Sequence, residues 1–449
     1  MRNVRATMLR MNIKPDDAAL LSRASSTAQE HAFRRGPRIT VVETLIPDDL
    51  MPGLLLLRLH TDAGPVDGEP VIGHGETYYL PHAVAAAIHD WMARRLLGAD
   101  CTAIESHWRF LYDRCSSFGG RGCELRAISA IDLALWDILG QLCGRPVWRL
   151  LGGPVRDRIP VYNSCGGPTY GRRPKGDPNA QGWPGHGDLG KPGPLEDNYS
   201  SVHTPGDLAE ELLSEGYRAM KLWSLDRVYH RGGGHRVDWA DLEEALRPFH
   251  QIRERVGMNI ELMLDGHGFF SLAAATRIAE AMRPVQPLWM EDVLRPDCVE
   301  TMAVFRERAG VPIAVSEMLV TRDEYLRVLN LRAADYVMID PTWVGGISEA
   351  RRIAELAQAF NVPVLMHDCT GPLTLMAGLH ISAAVPAVTY QETVRAHIRT
   401  LYPHLLDENV QVEAGHIPLP ERPGLGVRLL DDLFDTAHPG HRITRLSPP

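Results

Sequence analysis

Short apolar runs that each end in one acidic residue recur in the middle of this chain. Ile260-Glu261-Leu262-Met263-Leu264-Asp265 is followed by Leu288-Trp289-Met290-Glu291, and then by Ile313-Ala314-Val315-Ser316-Glu317. Both steps, from Asp265 to Glu291 and from Glu291 to Glu317, are 26 residues, about the length of one βα unit. Between the acids, Leu272 to Arg283 and Cys298 to Ala309 place apolar residues at helical spacing. Gly310-Val311-Pro312 then marks the return to a strand. Apolar runs of this kind are how parallel strands covered by helices on both faces read.

The same rhythm extends in both directions. Expected strands are Ile159 to Ser164, Ala219 to Trp223, Ile260 to Asp265, Leu288 to Glu291, Ile313 to Glu317, Tyr336 to Asp340, Val364 to His367 and Val388 to Glu392. They are as many as a closed (β/α)8 barrel needs, and in such a barrel chemistry sits at the C-terminal ends of the strands. Two joins are too long for simple βα loops: Cys165 to about His203, rich in Gly and Pro, and Ser224 to Val237, with Gly232-Gly233-Gly234. Both follow strands and belong on the catalytic face, as substrate-contacting loops or as insertions without function.

The part before residue 158 has a different pattern. Arg38 to Thr44, Leu54 to Leu59 and Ile72 to Thr77 read as a small antiparallel sheet, with a turn at Thr61 to Gly64. Helical patterns follow from His82 to Leu97, Ala103 to Tyr112 and Glu124 to Cys143, the last stopped by Gly144-Arg145-Pro146. The expected organisation is an extension over 1–36, with a short helical stretch near Ala18 to Leu21, an α+β domain over 37–157, a barrel over 158–400 and a turn-rich segment over 401–449.

Composition narrows the partners. A net charge of −9 and the lack of a basic stripe give no footprint for nucleic acid. No apolar run reaches the length of a membrane span and no apolar leader stands at the N-terminus. The seven cysteines are scattered, without a CxxC pair, so neither a disulfide framework nor a zinc site is indicated. A reducing cytoplasm is the expected compartment.

The residues ending the strands carry the candidate chemistry. Asp265, Glu291 and Glu317 would converge at one edge of the barrel, where they repel unless a positive charge sits among them. Three hard oxygen ligands suit Mg²⁺, with the remaining positions left to water or substrate. Lys221 ends the second strand and is a usable base if burial beside a cation drives it neutral. Asp340 and His367 end neighbouring strands; a carboxylate on one imidazole nitrogen frees the other to abstract a proton. Glu392 either hydrogen-bonds an oxygen on which charge develops or forms a salt bridge with Arg395 or another basic group. His267, two residues beyond Asp265, either donates a proton to a leaving hydroxyl or only shapes the turn.

With the ladder, Ala127-Ile128-Ser129-Ala130-Ile131-Asp132-Leu133-Ala134-Leu135-Trp136-Asp137 and Pro146-Val147-Trp148-Arg149-Leu150-Leu151-Gly152-Gly153 resemble the enolase superfamily, within it the mandelate racemase-like group. The resemblance runs from about Arg38 to about Val427. It implies a TIM-like (β/α)8 barrel, regular or modified, with an α+β N-terminal capping domain that the C-terminal segment completes. It implies Asp265, Glu291 and Glu317 as Mg²⁺ ligands, Asp340 and His367 as an Asp-His dyad, and Lys221 as the first lysine of a Lys-x-Lys motif. Glu392 matches the group's strand-eight glutamate. Trp223 replaces the second lysine, and His267 stands where asparagine is usual, as in acid-sugar dehydratases in which that histidine is the general acid.

The shared step is abstraction of the proton α to a carboxylate, a reaction type that the general account of enolase-type sites pairs with a Lys or His base and Mg²⁺. Elimination of the β-hydroxyl would yield a 2-keto-3-deoxy acid. The first expectation is therefore a Mg²⁺-dependent dehydratase of an aldonate or aldarate. The alternatives are a racemase, epimerase or cycloisomerase using bases on both faces, a metal-dependent hydrolase, and a non-catalytic binding protein. The expected partners are a small sugar acid and further copies of the chain in a homo-oligomer.

Overall fold

An antiparallel sheet opens the chain: β1 (Ile39–Leu45), β2 (Leu54–Thr61) and β3 (Ile72–Tyr78) follow one another as a meander. The computed structural model describes residues 36–171 and 191–446. The short helix expected near Ala18 to Leu21 and much of the insertion after Cys165 lie outside the described residues.

The helix Cys123–Cys143 packs on β3, and two glycines permit it. A Cβ on Gly73 would stand 2.1 Å from the Ala134 carbonyl oxygen, and one on Gly75 would stand 2.0 Å from that of Ala130. Backbone therefore lies directly on backbone. The helix ends at Gly144, whose φ of 60° suits the left-handed cap a glycine adopts at no steric cost. At its start the Glu124 carboxylate accepts the amides of Gly120, Arg121 and Gly122 at 2.5, 2.9 and 3.0 Å, which ties the turn leading into the helix to its first residues. The other two helices differ slightly from expectation. One runs Ile104–Cys115, and the stretch Pro81–Leu96 is broken by a π-helical middle, Ala87–Met92.

Eight parallel strands follow: β4 (Arg158–Ser164), β5 (Ala219–Leu222), β6 (Glu261–Asp265), β7 (Trp289–Glu291), β8 (Ile313–Val315), β9 (Tyr336–Ile339), β10 (Val364–Met366) and β11 (Val388–Thr393). Each pairs in parallel with the next, and β11 pairs with β4, so the barrel closes. The sequence places Glu317, Asp340 and His367 inside strands; the structure sets them just past the ends of β8, β9 and β10. There the chain has left the ladder to form the loops of the catalytic face. Of the 401–449 segment, β12 (His416–Pro418) stays with the barrel, antiparallel to β4, while β13 (His441–Arg445) crosses back to pair with β1.

Inside the barrel, Tyr162, Ala219, Met263, Trp289, Ala314, Met338 and Leu365 form one apolar layer, with Tyr390 packed against it. These come from successive strands and fill the barrel interior as a packed core. Helices between the strands bury the outer faces. Among the described residues, no helix is long and apolar enough to cross a membrane. Both long insertions carry a helix, Asp197–His203 in the first and Asp226–Gly232 in the second.

Candidate active site

Side chains alternate along a strand with period two, and that period builds the site. Two residues beyond each member of the apolar layer stand Ser164, Lys221, Asp265, Glu291, Ser316, Asp340, His367 and Glu392. One pleat above an oily plug lies a ring of polar groups. Strand register sets its neighbours: Asp265 is opposite Glu291, and Ser164 is opposite Lys221. Glu317 is the exception. Alternation selects Ser316, whose hydroxyl donates to Asp292 at 2.6 Å; Glu317 reaches the same cavity from the loop after β8.

Lys221 stands among the acids. Its buried Nζ lies 2.5 Å from Glu291 Oε1, 2.8 Å from Glu392 Oε1 and 3.2 Å from Asp265 Oδ2. Burial pulls the ammonium's pKa down, but Glu291, Glu392, Tyr162 and Asp265 outweigh it and hold it well above its usual value. One ammonium shared among several acids does not neutralise them all. Burial, with Asp265, Glu392 and Glu317 nearby, therefore pushes Glu291 well up. Burial also disfavours the charge on Asp265, yet His267 and Lys221 bring its pKa down to about 2. The ion pair expected as the alternative for Glu392 forms with Lys221 and not with Arg395, which binds Asp197 at 2.7 Å, at the start of the helix closing the first insertion.

Asp265, Glu291 and Glu317 suit a hard divalent cation by chemistry. All are buried carboxylates, and Glu317 Oε2 has no hydrogen-bond partner. Burying such an oxygen is costly unless something positive meets it. In this arrangement the Lys221 ammonium supplies positive charge to Asp265 and Glu291. Among the described residues, the three-membered group of histidine and acidic side chains with ligand atoms all within 4.8 Å of one another is instead Asp48, Asp49 and His438, a mostly exposed cluster outside the barrel.

Across the cavity, His367 Nδ1 donates to Asp340 Oδ2 at 2.7 Å. Asp340 is itself fixed, because its Oδ1 accepts the Thr342 amide and hydroxyl, each at 2.7 Å. The Nε2 of His367 hydrogen-bonds Cys369 Sγ at 3.4 Å and lies 3.8 Å from Glu392 Oε2. Burial lowers the pKa of His367, but Cys369, Glu392 and Asp340 raise it well above the ordinary histidine value.

His267 has a partner the sequence did not reveal. Its Nδ1 donates to Asp226 Oδ1 at 2.8 Å, and its Nε2 lies 3.6 Å from Asp265 Oδ2. Burial works against the imidazolium, but Asp226 and Asp265 raise the pKa to about 10.

Lys221, Asp265, His267, Glu317, His367 and Glu392 thus line one cavity, roofed by Tyr79, Tyr170, Trp223, Trp343 and Cys369. Its free space of about 20 Å³ is far below the few hundred Å³ of an ordinary ligand pocket. His267 also borders a second, open cavity of about 710 Å³ beneath Phe269 and Tyr229. Of the roof residues only Trp223 was read in the sequence, as the replacement for a second lysine; Tyr79, Tyr170, Trp343, Cys369 and Asp226 were not assigned to the site. Tyr79 comes from the capping domain, just beyond β3, and Tyr170 and Asp226 come from the two insertions. For Tyr170 and Asp226 the only sequence signal was the unusual length of those joins.

Known proteins match the chain over most of its length. The family described as "Mandelate racemase / muconate lactonizing enzyme, N-terminal domain" matches residues 39–152, and that described as "Enolase C-terminal domain-like" matches residues 206–433. Arabinonate dehydratase of Saccharolobus solfataricus is 27% identical over 368 residues, spanning 81% of this chain and 86% of that protein. D-galactonate dehydratase of Cronobacter sakazakii is 30% identical over 387 residues, spanning 85% and 90% respectively. A solved enolase protein from environmental shotgun sequencing of the Sargasso Sea superposes with a TM-score of 0.77 at 33% identity, over 92% of this chain and 100% of that one.

Proposed function

The chain belongs to the mandelate racemase / muconate lactonizing enzyme family of enolase-like proteins, and from that premise we propose that it is a dehydratase of an aldonic or aldaric acid. The observation that carries this reading is the placement of two histidines, His367 and His267, in one buried cavity beside the ring of acids. Elimination of water needs one group to take a proton and another to give one. The names of the two dehydratase relatives support the reaction class.

His367 is assigned as the base that removes the proton α to the substrate carboxylate; it acts in its neutral form, and the acids around it, which raise its pKa, favour the imidazolium it becomes. Asp340 holds Nδ1 and stabilises the imidazolium that forms, leaving Nε2 to face the substrate. Lys221, charged among its carboxylate partners, binds the substrate carboxylate. Glu392, between Lys221 and His367, hydrogen-bonds the oxygen on which charge develops. His267 gives its proton to the β-hydroxyl as the carbon–oxygen bond breaks, and the hydroxyl leaves as water. The enol that remains ketonises to a 2-keto-3-deoxy acid. Asp265, Glu291 and Glu317 are the residues that would hold Mg²⁺, which when bound supplies positive charge opposing the negative charge that develops on the substrate carboxylate. The second reading, a racemase, epimerase or cycloisomerase, is favoured by one observation: Lys221 and His367 both line the cavity.

The test is to incubate the protein with Mg²⁺ and a panel of aldonic and aldaric acids, and to detect 2-keto acid with semicarbazide. At least one acid should yield it, EDTA should abolish the signal, and His367→Asn should abolish both turnover and exchange of the α-proton in D₂O. Full activity in EDTA would remove the metal from the mechanism. Epimerised substrate without keto acid would favour the second reading. If His367→Asn still exchanged the proton and Lys221→Met did not, the base would be Lys221.

A further inference from the structure

We propose that Asp226 is a positioning residue for His267, and that the second insertion exists in part to deliver it. This rests on the reading of His267 as the proton donor in a dehydration. Asp226 opens the helix Asp226–Gly232, a few residues beyond β5, and its amide donates to the Trp223 carbonyl oxygen at 3.2 Å. The turn so formed directs a carboxylate 3% exposed into the barrel mouth. An ionised carboxylate buried to that degree costs several kcal/mol unless it is paired, and His267 Nδ1 meets its Oδ1 at 2.8 Å.

The ring is gripped from its other sides as well. The backbone of His267 has a φ of 48°, a left-handed conformation that costs a non-glycine residue energy and persists only where its surroundings impose it. Its amide donates to Asp265 Oδ1 at 3.0 Å. The rings of Trp223 and Phe269 both lie with centroids 6.0 Å from that of His267.

These contacts have one chemical consequence. With Nδ1 committed to Asp226, the nitrogen left for substrate is Nε2, and it points to the acid ladder, 3.6 Å from Asp265 Oδ2. A carboxylate on the far nitrogen fixes which nitrogen works and which way it faces, the role Asp340 has for His367. The site therefore holds two Asp–His pairs, with Asp340 serving the proton that is removed and Asp226 the proton that is delivered. Asp226 acts only through His267, so its loss should harm elimination and spare enolisation.

The experiment measures keto-acid formation and α-proton exchange in D₂O with D-galactonate and arabinonate as probes, in the wild type, Asp226→Asn, His267→Asn and the double variant. Asp226→Asn should lower kcat for elimination about 10²-fold, with KM changed less than about threefold and α-proton exchange retained. The double variant should be no slower than His267→Asn, because the two residues act as a unit. Multiplied losses in the double variant, or loss of exchange in parallel with elimination, would overturn the proposal. A substrate-free measurement accompanies it: in the ¹⁵N-histidine spectrum the His267 ring, identified with His267→Asn, should show a strongly hydrogen-bonded proton on Nδ1 beside the proton that Nε2 delivers, and Asp226→Ala should remove that Nδ1 hydrogen-bond signature. An unchanged ring spectrum in Asp226→Ala overturns the proposal. If the wild type neither exchanges nor dehydrates any acid, the dehydratase reading fails, and the ring spectrum alone decides whether Asp226 orients His267.

Discussion

At the scale of single residues, Lys221 does two jobs that are separable by experiment. Its ammonium sits within 3.2 Å of Asp265, Glu291 and Glu392, so Lys221→Met leaves buried carboxylates without a counter-charge. The expected loss is about 3–5 kcal/mol of unfolding free energy, measured by urea denaturation in EDTA. Mg²⁺ should narrow the gap between variant and parent by restoring positive charge. Equal stability of the two proteins in EDTA would mean that the ammonium is not what holds the ring together. Glu124 offers a pH test. Burial raises its pKa, but the amides of Gly122, Gly120 and Arg121 outweigh burial and bring it to about 2, against an ordinary 4.5. Because the folded value is depressed, its stabilisation is present above about pH 4.5 and is lost as pH falls towards 2. Glu124→Gln should cost about 1 kcal/mol at pH 7, less than the shift alone implies because solvent screens a carboxylate near the surface. The difference should vanish near pH 2, and a pH-independent difference would refute the assignment. Most of the site residues were legible at this scale, because a charged group closing an apolar run is rare and the runs repeat. Ser316 and Glu317 show the limit of that signal: alternation selects the serine, and only the course of the loop after β8 brings the glutamate in.

At the scale of elements, the capping helix Cys123–Cys143 and β3 are joined through Gly73 and Gly75, with no room for a side chain. Gly75→Ala should cost about 1–3 kcal/mol through overpacking. Gly64, where an added Cβ would meet nothing within 4 Å, is the control, and Gly64→Ala should be near neutral. Matching thermal midpoints for the two variants would refute the close contact. The end of β3 leads into Tyr79, which roofs the cavity, so a displaced helix should also raise KM. The long helices were readable because their apolar residues recur at helical spacing over ten or more positions. The helix Asp226–Gly232 was not: seven residues beside a run of glycines carry too little periodicity, and its first residue finds its meaning 41 positions away, at His267.

At the scale of the whole molecule, the two ends of the described chain meet: β13 supplies the outer strand beside β1, and His441 Nε2 lies 2.8 Å from Glu43 Oε1. Removing residues 436–449 should expose the edge of β1, lower the thermal midpoint and speed amide exchange in Ile39–Leu45. Barrel strands should keep their protection until global unfolding; unchanged exchange in β1 would refute the role of β13. The sequence by itself determined the barrel and its acid ladder, because the length of a βα unit and the two-residue period of a strand are local properties written residue by residue. It also determined the Asp340–His367 pair, since neighbouring strands must set their ends side by side. The entry of Tyr79 from the capping domain, the Lys221 ammonium among the carboxylates and the meeting of Asp226 with His267 were decided only in the tertiary structure. Each joins groups whose separation along the chain follows no repeat, and burial in a shared low-dielectric space, where an unpaired charge is costly, selects their partners.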